Sequence, residues 1–202
     1  MPTGSIRCLI VSCLAILVMV CACGEGDDIR PSQYYVFSFE GSMQGWSTNG
    51  TDLDNPSVVW YIQRAVDMSR DSVSSAKFYL ANLNDKAKIW MERVFEVDSS
   101  ADYRVTVRYS FATRDWGQAN LWNILTGVSP RAVSVPEELG YQGNTGTGTS
   151  SDVGFVWTSR SYDFDVRSSS SGRLYVHIGV WGTWETTRVY YVDLVSVSFT
   201  RR

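Results

Sequence analysis

The sequence contains few of the side chains that metal and nucleophilic chemistry require. Its 202 residues include one histidine, His177, and four cysteines, none of which lies beyond residue 23. A single histidine excludes zinc sites built from several histidines, and the region after residue 23 can form neither a disulfide nor a thiolate metal site. No Gly-x-Ser-x-Gly segment is present to carry a serine nucleophile. These absences predict a protein that is not an enzyme.

Carboxylates leave one enzymatic alternative open. A glycosidase needs two of them about 5–10 Å apart. Glu137 and Glu138 lie in a predicted loop, and Glu92 and Glu96 lie on a predicted strand. No recognisable pattern places them as a catalytic pair, so a small polysaccharide lyase or hydrolase is kept only as an alternative.

The charge balance is mildly acidic. The chain has 18 Lys and Arg against 21 Asp and Glu, which gives a net charge of −3. Nucleic-acid binding requires a dense basic surface that neutralises phosphates. The composition therefore argues against nucleic acid as a partner.

An apolar segment, Leu9–Ala22, ends at Cys23, and Gly, Glu and Asp residues follow it. At about 14 residues it is shorter than the roughly 20 that a helix needs to span a bilayer. With aliphatic Val20 and small Ala22 before the cysteine, it resembles the lipobox of bacterial lipoproteins. The resemblance implies a signal peptide over residues 1–22 and a diacylglyceryl thioether on Cys23. A transmembrane anchor and a secretory signal cleaved elsewhere are the alternatives.

Residues 23–33 are predicted to form the lipidated cysteine and a flexible tether. A tether of about ten residues, at about 3.5 Å each when extended, would hold the domain within roughly 35 Å of the bilayer. Gly24, rather than an acidic residue, follows the cysteine. By resemblance to lipoprotein sorting, this favours the outer membrane or cell surface, so we expect a lipid-anchored protein of the bacterial cell envelope.

From residue 34 onward the sequence alternates in steps of two and is rich in Val, Tyr, Phe, Trp and Thr, which is typical of strands. The predicted strands are Tyr34–Glu40, Val58–Val66, Ala76–Leu80, Lys88–Val97, Tyr103–Ala112, Gln118–Thr126, Phe155–Asp163, Arg173–Trp181 and Arg188–Thr200. Residues 131–135 are a candidate tenth strand, residues 140–152 a predicted loop. The pattern predicts one all-β domain over residues 34–202, an antiparallel sandwich of two sheets.

The two ends of this domain resemble a known family. It opens with Phe39-Glu40-Gly41 followed by Gly45-Trp46, and it closes with Tyr-Tyr-Val-Asp-Leu-Val-Ser-Val at residues 190–197. Both segments resemble those of the jelly-roll carbohydrate-binding modules in the galactose-binding-domain-like group. The resemblance implies a jelly-roll sandwich of about nine or ten strands that binds carbohydrate.

Glu40 and Asp193 are the candidate metal ligands. Asp193 belongs to the same alternating series as Val195 and Val197, so a buried carboxylate that needs a partner is predicted. In the family that the sequence resembles, the first-strand and last-strand acids meet at one end of the sandwich and ligate a structural calcium ion. Calcium takes about 6–8 oxygens, so backbone carbonyls would have to complete the site. The alternative is that both carboxylates accept hydrogen bonds from turn amides or an arginine.

A polar and aromatic sheet face is the candidate ligand-binding site. Sugars present apolar C–H faces and a rim of hydroxyls, so a cleft for them needs aromatic platforms and planar hydrogen-bonding groups. Alternation along the predicted strands places such residues outward together. The candidates are Arg108, Gln118, Asn120, Trp122, Tyr175, His177, Trp181 and Trp184. The alternative is that Trp122 and Trp181 fill a second layer under loops.

These features predict a lipid-anchored, non-catalytic cell-envelope protein that binds a polysaccharide or other glycan. The main alternative is a structural or adhesion lipoprotein that binds a protein partner through a similar face. A structural calcium ion is the only cofactor expected.

Overall fold

The computed structural model describes residues 32–118 and 122–202, so Cys23 and Asn120 lie outside the described residues. Within these ranges the chain forms eleven strands and one short 3-10 helix, Pro136–Glu138. The strands are β1 (Gln33–Phe37), β2 (Ser47–Thr51), β3 (Val59–Ala65), β4 (Ser75–Asn82), β5 (Lys88–Glu96), β6 (Asp102–Thr113), β7 (Asn123–Ser129), β8 (Tyr141–Asn144), β9 (Val156–Arg167), β10 (Arg173–Trp181) and β11 (Thr186–Arg201). In the described part of the chain, no helix has the length and apolar character needed to cross a bilayer.

The strands form two antiparallel sheets, which confirms the predicted two-sheet sandwich. Sheet A has the order β3-β4-β11-β6-β9, and β1 pairs with the second half of β11. Sheet B has the order β2-β5-β10-β7-β8. Because side chains alternate along each strand, every strand presents one row to the space between the sheets and one row to the outside.

Alternating apolar residues of the two sheets fill the core, as their sequence pattern predicts. The inward residues of β6 and β10 are Tyr103, Val105, Val107, Tyr109, Phe111, Leu174, Val176, Ile178 and Val180, all of them buried. Near one end, the Phe95 ring lies 5.1 Å from the rings of both Tyr35 and Phe199. This packed core provides the rigid frame from which the outer faces and loops project.

A β-bulge in β11 changes which face that strand presents. Its pairing with β6 shifts between Asp193 and Ser196, and Leu194 has a φ of 51°. Val192 is inward before the bulge and Val195 is inward after it, so the alternation is interrupted. The prediction that Asp193 shares an inward series with Val195 is therefore wrong. Asp193 lies on the outer side of sheet A, where it is fully buried and accepts a hydrogen bond from the loop between β3 and β4.

Two short strands escape the prediction from sequence, and both pair in sheet B. Strand β2 contains Asn49 and Gly50, a pair that is typical of turns, and β8 lies inside the predicted loop 140–152. Residues 131–135, the candidate tenth strand, form no strand. Strand β7 begins at Asn123 rather than at Gln118. The polar edge strands lack the apolar alternation that identifies the central ones.

Candidate functional site

The outer face of sheet B is covered. The segment that joins β7 to β8, residues 130–140, crosses this face, and we call it the strap. Its Leu139 is buried against Trp90 and Leu125, and Val133 and Trp181 pack against the same cluster. The strap therefore shields the central aromatic residues of sheet B from solvent.

His177 lies beneath the strap and holds it. The N–H of Gly140 donates to His177 Nε2 at 3.1 Å. Gly127 on the neighbouring strand provides the space, because a Cβ there would lie 2.5 Å from His177 Cε1. Burial lowers the pKa of His177 to about 4, so the imidazole is neutral at pH 7 and can accept the strap's N–H.

Glu92, on β5, also binds the strap by a hydrogen bond. Its Oε2 accepts the N–H of Val133 at 3.0 Å. Burial raises the pKa of Glu92, and the negative charge of Glu138 acts in the same direction. The two ionisable side chains buried on this face thus bind the strap, as expected for polar groups that need partners when they leave water.

The structure does not bring the predicted binding residues together. Arg108 lies on sheet A, where its Nε donates to Ser161 Oγ at 3.2 Å. Tyr175, His177 and Trp181 lie on β10 in sheet B. The prediction that these residues share one face is wrong because β6 and β10 belong to different sheets, whose outer faces point in opposite directions.

The remaining predicted residues are also dispersed. Trp122 is 1% exposed and packs in the core, 5.8 Å from the ring of Tyr190. Gln118 lies in a loop, where its carbonyl accepts the Asn144 side-chain amide at 3.1 Å. Trp184 is 58% exposed and lines a shallow hollow of its own. Trp122 therefore belongs to the core, and Gln118 and Trp184 occupy separate places on the surface.

The outer face of sheet A carries an open cleft of about 420 Å³. Strands β4 and β11 form its floor, and the loops that follow β6 and precede β9 form its wall. We call it the cleft; its lining residues are Lys77, Arg114, Asp115, Trp116, Phe155, Thr187, Arg188, Val189 and Tyr191. Lys77 pairs with Tyr191 across β4 and β11, which sets both side chains on the outer face.

Aromatic rings and a guanidinium form the wall of the cleft. The Phe155 ring meets the Tyr191 ring edge to face, with centroids 5.2 Å apart. The guanidinium of Arg114 lies 4.4 Å from the centroid of Phe155. Trp116 projects from the same loop and is 60% exposed. Such an array combines flat apolar surfaces with planar hydrogen-bond donors.

Hydrogen bonds hold the loop that carries Trp116. Thr147 N–H donates to the Asp115 carbonyl at 2.9 Å, and Gly117 N–H donates to the Thr149 carbonyl at 3.0 Å. The two loops at this end of the sandwich are thus tied together through their backbones. Trp116 is exposed but stands on an anchored support, which lowers the entropy cost of using it as a platform.

A buried carboxylate fixes the end of the cleft. Asp115 is 2% exposed; its Oδ2 accepts the hydroxyl of Tyr190 at 2.7 Å and that of Thr145. Its Oδ1 lies 2.9 Å from Arg188 Nε. The Asp115 charge is therefore met by one cation and two hydroxyls of the protein, as a buried charge requires.

A second polar cluster borders the floor. Lys77 Nζ lies 2.5 Å from Asp67 Oδ2, and the Tyr191 hydroxyl donates to the same carboxylate at 2.9 Å. The hydrogen bond to Asp67 raises the pKa of Lys77, which keeps its ammonium charged. Next to the cleft, the rings of Tyr61 and Tyr79 stack with centroids 4.9 Å apart. Because Tyr79 pairs with Val189, this tyrosine shelf (Tyr61 and Tyr79) continues the floor toward the edge of the sheet.

The predicted metal ligands converge on the loop between β3 and β4. Glu40 Oε1 accepts the N–H groups of Val73 and Ser74 at 3.2 and 3.3 Å. Asp193 accepts the N–H of Arg70 at 2.7 Å, and burial raises its pKa. Within residues 32–118 and 122–202, no three His, Cys, Asp or Glu side chains are grouped to hold a metal ion. These contacts match the alternative from the sequence, in which turn amides are the partners.

Neither Trp116 nor the other residues of the cleft are among those that the sequence predicts to bind a ligand. One signal was available, because Lys77 and Tyr79, and also Val189 and Tyr191, alternate on adjacent strands. The contribution of Phe155 and Arg114 had no such signal. Loops bring these residues to the strands, and loop paths do not follow the strand period.

No protein-family model matches the chain, and no curated protein sequence matches it. Solved structures do share its fold. The K3 cleaved adhesin domain of Lys-gingipain from Porphyromonas gingivalis W83 is 12% identical; the match covers 83% of this chain and 99% of that chain, with a TM-score of 0.52. This match agrees with the β-sandwich fold.

Two further structural neighbours are carbohydrate-binding modules. The CBM22-1 xylan-binding domain of Xyn10C from Paenibacillus barcinonensis is 12% identical over 83% of this chain and 94% of that chain, with a TM-score of 0.47. A carbohydrate-binding module of the β-sandwich superfamily is 14% identical over 79% of this chain and 59% of that chain, with a TM-score of 0.49. The structural neighbours thus include both adhesin and carbohydrate-binding domains of β-sandwich fold.

Proposed function

We propose that this protein is a non-catalytic carbohydrate-binding protein whose ligand lies in the cleft on sheet A. The observation that carries the proposal is Trp116, a 60% exposed tryptophan on an anchored loop beside the aromatic pair of Phe155 and Tyr191. Tryptophan is highly buried on average, and an exposed indole that lines an open cleft together with other aromatic rings is the arrangement expected of a ligand site.

The chemistry of the cleft suits a sugar. Pyranose rings offer an apolar face that can stack on Trp116, and their hydroxyls can pair with the donors of Arg114 and the hydroxyl of Thr187. The tyrosine shelf extends the floor in the direction of β3. A linear oligosaccharide longer than the cleft would therefore continue over Tyr79 and Tyr61.

Comparison of two exposed tryptophans tests the proposal. Trp116→Ala should weaken binding to the best ligand of a glycan array by at least about tenfold, because it removes the main platform. Trp184→Ala is the matched control, since Trp184 is equally exposed but lies outside the cleft. Equal loss in both variants, or loss only in the control, would reject the cleft as the site. Capture of a protein partner with no glycan signal would favour the adhesion alternative.

The anchor at Cys23 belongs to the same proposal and is supported by the sequence alone. Acyl chains on Cys23 would hold the sandwich close to a membrane of the cell envelope, where a bound glycan would also be retained. Metabolic labelling with palmitate tests this point. The label should be present on the wild-type protein and absent from Cys23→Ala.

A structural calcium ion at Glu40 and Asp193 also stays a proposal. Burial is the main cause that raises the pKa of Asp193, and the negative charges of Asp71 and Glu40 act in the same direction, so a cation beside these carboxylates would be favourable. The oxygens of Glu40 and Asp193 already accept amide hydrogen bonds, so backbone carbonyls would supply the other ligands. If calcium binds, EDTA should lower the melting temperature and added calcium should restore it, whereas Asp193→Asn should respond to neither.

A further inference from the structure

We propose that the cleft selects an acidic glycan, whose carboxylate or sulfate group is bound by Arg114 with support from Lys77. This inference rests on the proposed function, because it specifies the ligand of the same site. It comes from the distribution of charge. Three basic residues, Lys77, Arg114 and Arg188, line the cleft with one acidic residue, Asp115, although the whole chain has a net charge of −3.

The one acidic residue does not oppose an anionic ligand. Asp115 is enclosed by the protein, where Arg188 and the hydroxyls of Tyr190 and Thr145 meet its charge. Arg188 is therefore committed to that carboxylate, and Lys77 is paired with Asp67 at the border of the floor. Arg114 is thus the cation of the cleft whose charge no carboxylate of the described residues balances, and it dominates the field that a ligand meets.

Arg114 has the free hydrogen-bonding capacity that an anion needs. Among residues 32–118 and 122–202, no carboxylate lies within ion-pair distance of its guanidinium. The Cζ of Arg114 lies over the Phe155 ring, 4.4 Å from its centroid, which places the guanidinium at the wall of the cleft. A guanidinium has five N–H donors in one plane, which can pair bidentately with a carboxylate or a sulfate.

Lys77, which is paired with Asp67, contributes further hydrogen-bond donors at the floor. Its ammonium binds Asp67 at 2.5 Å, and it has three donors, so others remain for a ligand. Tyr191, whose ring lies 5.5 Å from Lys77 Nζ, keeps this side chain over the floor of the cleft. An anionic substituent between Arg114 and Lys77 would leave the sugar ring free to stack on Trp116.

A chemically matched pair of polymers separates charge from shape. Polygalacturonate and its fully methyl-esterified form share one backbone and differ in the carboxylate. Dextran sulfate against dextran provides the same comparison for sulfate. Wild-type protein should bind one of the charged polymers at least about tenfold more tightly than its neutral counterpart, and the preference should weaken at high salt.

Two arginine variants test whether Arg114 causes the preference for a charged polymer. Arg114→Gln should bind the preferred charged polymer only as well as the neutral one. Arg108→Gln, the same charge change on the same sheet face but outside the cleft, should keep the wild-type preference. Preference for carboxylate or for sulfate supports the proposal and names the group.

The outcomes distinguish this inference from the proposed function. If charged and neutral polymers bind equally and Trp116→Ala weakens both, the acidic specificity is wrong and the sugar site stands. If Trp116→Ala leaves all binding unchanged, the proposed site itself is wrong. If Arg108→Gln abolishes the preference as fully as Arg114→Gln does, the charge effect is not local to the cleft and the inference is overturned.

Discussion

The two outer faces of this sandwich carry similar side chains in different settings. Both sheets present aromatic residues on neighbouring strands, Trp90 and Trp181 in sheet B and Tyr79 and Tyr191 in sheet A. On sheet B the strap covers Trp90, which is 5% exposed, and packs against partly buried Trp181. On sheet A the loops leave an open cleft whose floor includes Tyr191, itself 4% exposed, and whose wall carries exposed Trp116. Whether an outer face carries an open cleft is thus decided by loop paths rather than by the strand pattern.

The polar side chains of the two outer faces also differ in their partners. On sheet B, His177 and Glu92 direct their side chains to backbone N–H groups of the strap, so their hydrogen bonds stabilise the fold. On sheet A, Arg114 and Trp116 extend from an anchored loop into the cleft. The polar side chains of the covered face thus bind the strap, whereas those of the open face line the cleft.

Among the substitutions considered, the largest loss of stability is expected at Asp115, which lies between the cleft and the core. Asp115→Ala should lower the free energy of unfolding by about 3 kcal/mol, because it leaves the buried hydroxyl of Tyr190 and the charge of Arg188 without their partner. Urea denaturation measures this change. Asp163→Asn, which breaks an exposed ion pair with Arg104, is the control and should have little effect. Equal stability of Asp115→Ala and wild type would contradict the role given to the buried carboxylate.

The covered face should respond to acid. The pKa of His177, about 4, lies below the ordinary value of 6.5, so the unfolded chain binds more protons between these two pH values. His177 therefore contributes stability at pH 7 that is lost as the pH falls from about 6.5 to about 4, by at most about 3 kcal/mol. His177→Gln should remove this part of the pH dependence in urea denaturation.

Glu92 also contacts the strap, but its contribution to the free energy of unfolding changes with pH in the opposite direction. Its raised pKa means that the folded protein holds its proton to higher pH, so stability falls as the pH rises through that range. The difference between wild type and His177→Gln cancels this contribution. Parallel stability curves for the two proteins from pH 7 to pH 4 would show that His177 does not hold the strap as described.

The central strands could be predicted from sequence and the surface could not. Alternation identified β6 and β10 because their apolar residues face a packed core. It failed at Leu194, where the bulge shifts the series, and it could not assign β6 and β10 to different sheets. Strand β2 could not be predicted because it contains Asn49-Gly50, a pair that is typical of turns but lies within an edge strand here. The strap and the wall of the cleft depend on contacts far apart in sequence, which local patterns do not encode.

The tryptophan indole N–H signals of the protein in solution distinguish a ligand site on sheet A from one on sheet B, because Trp116 reports on the cleft and Trp90 and Trp181 report on the covered face. Titration with the best ligand of the glycan array, followed by two-dimensional NMR, should shift the Trp116 signal and leave the Trp90 and Trp181 signals in place. Shifts confined to Trp90 and Trp181, with Trp116 unchanged, would contradict the account and move the site to sheet B.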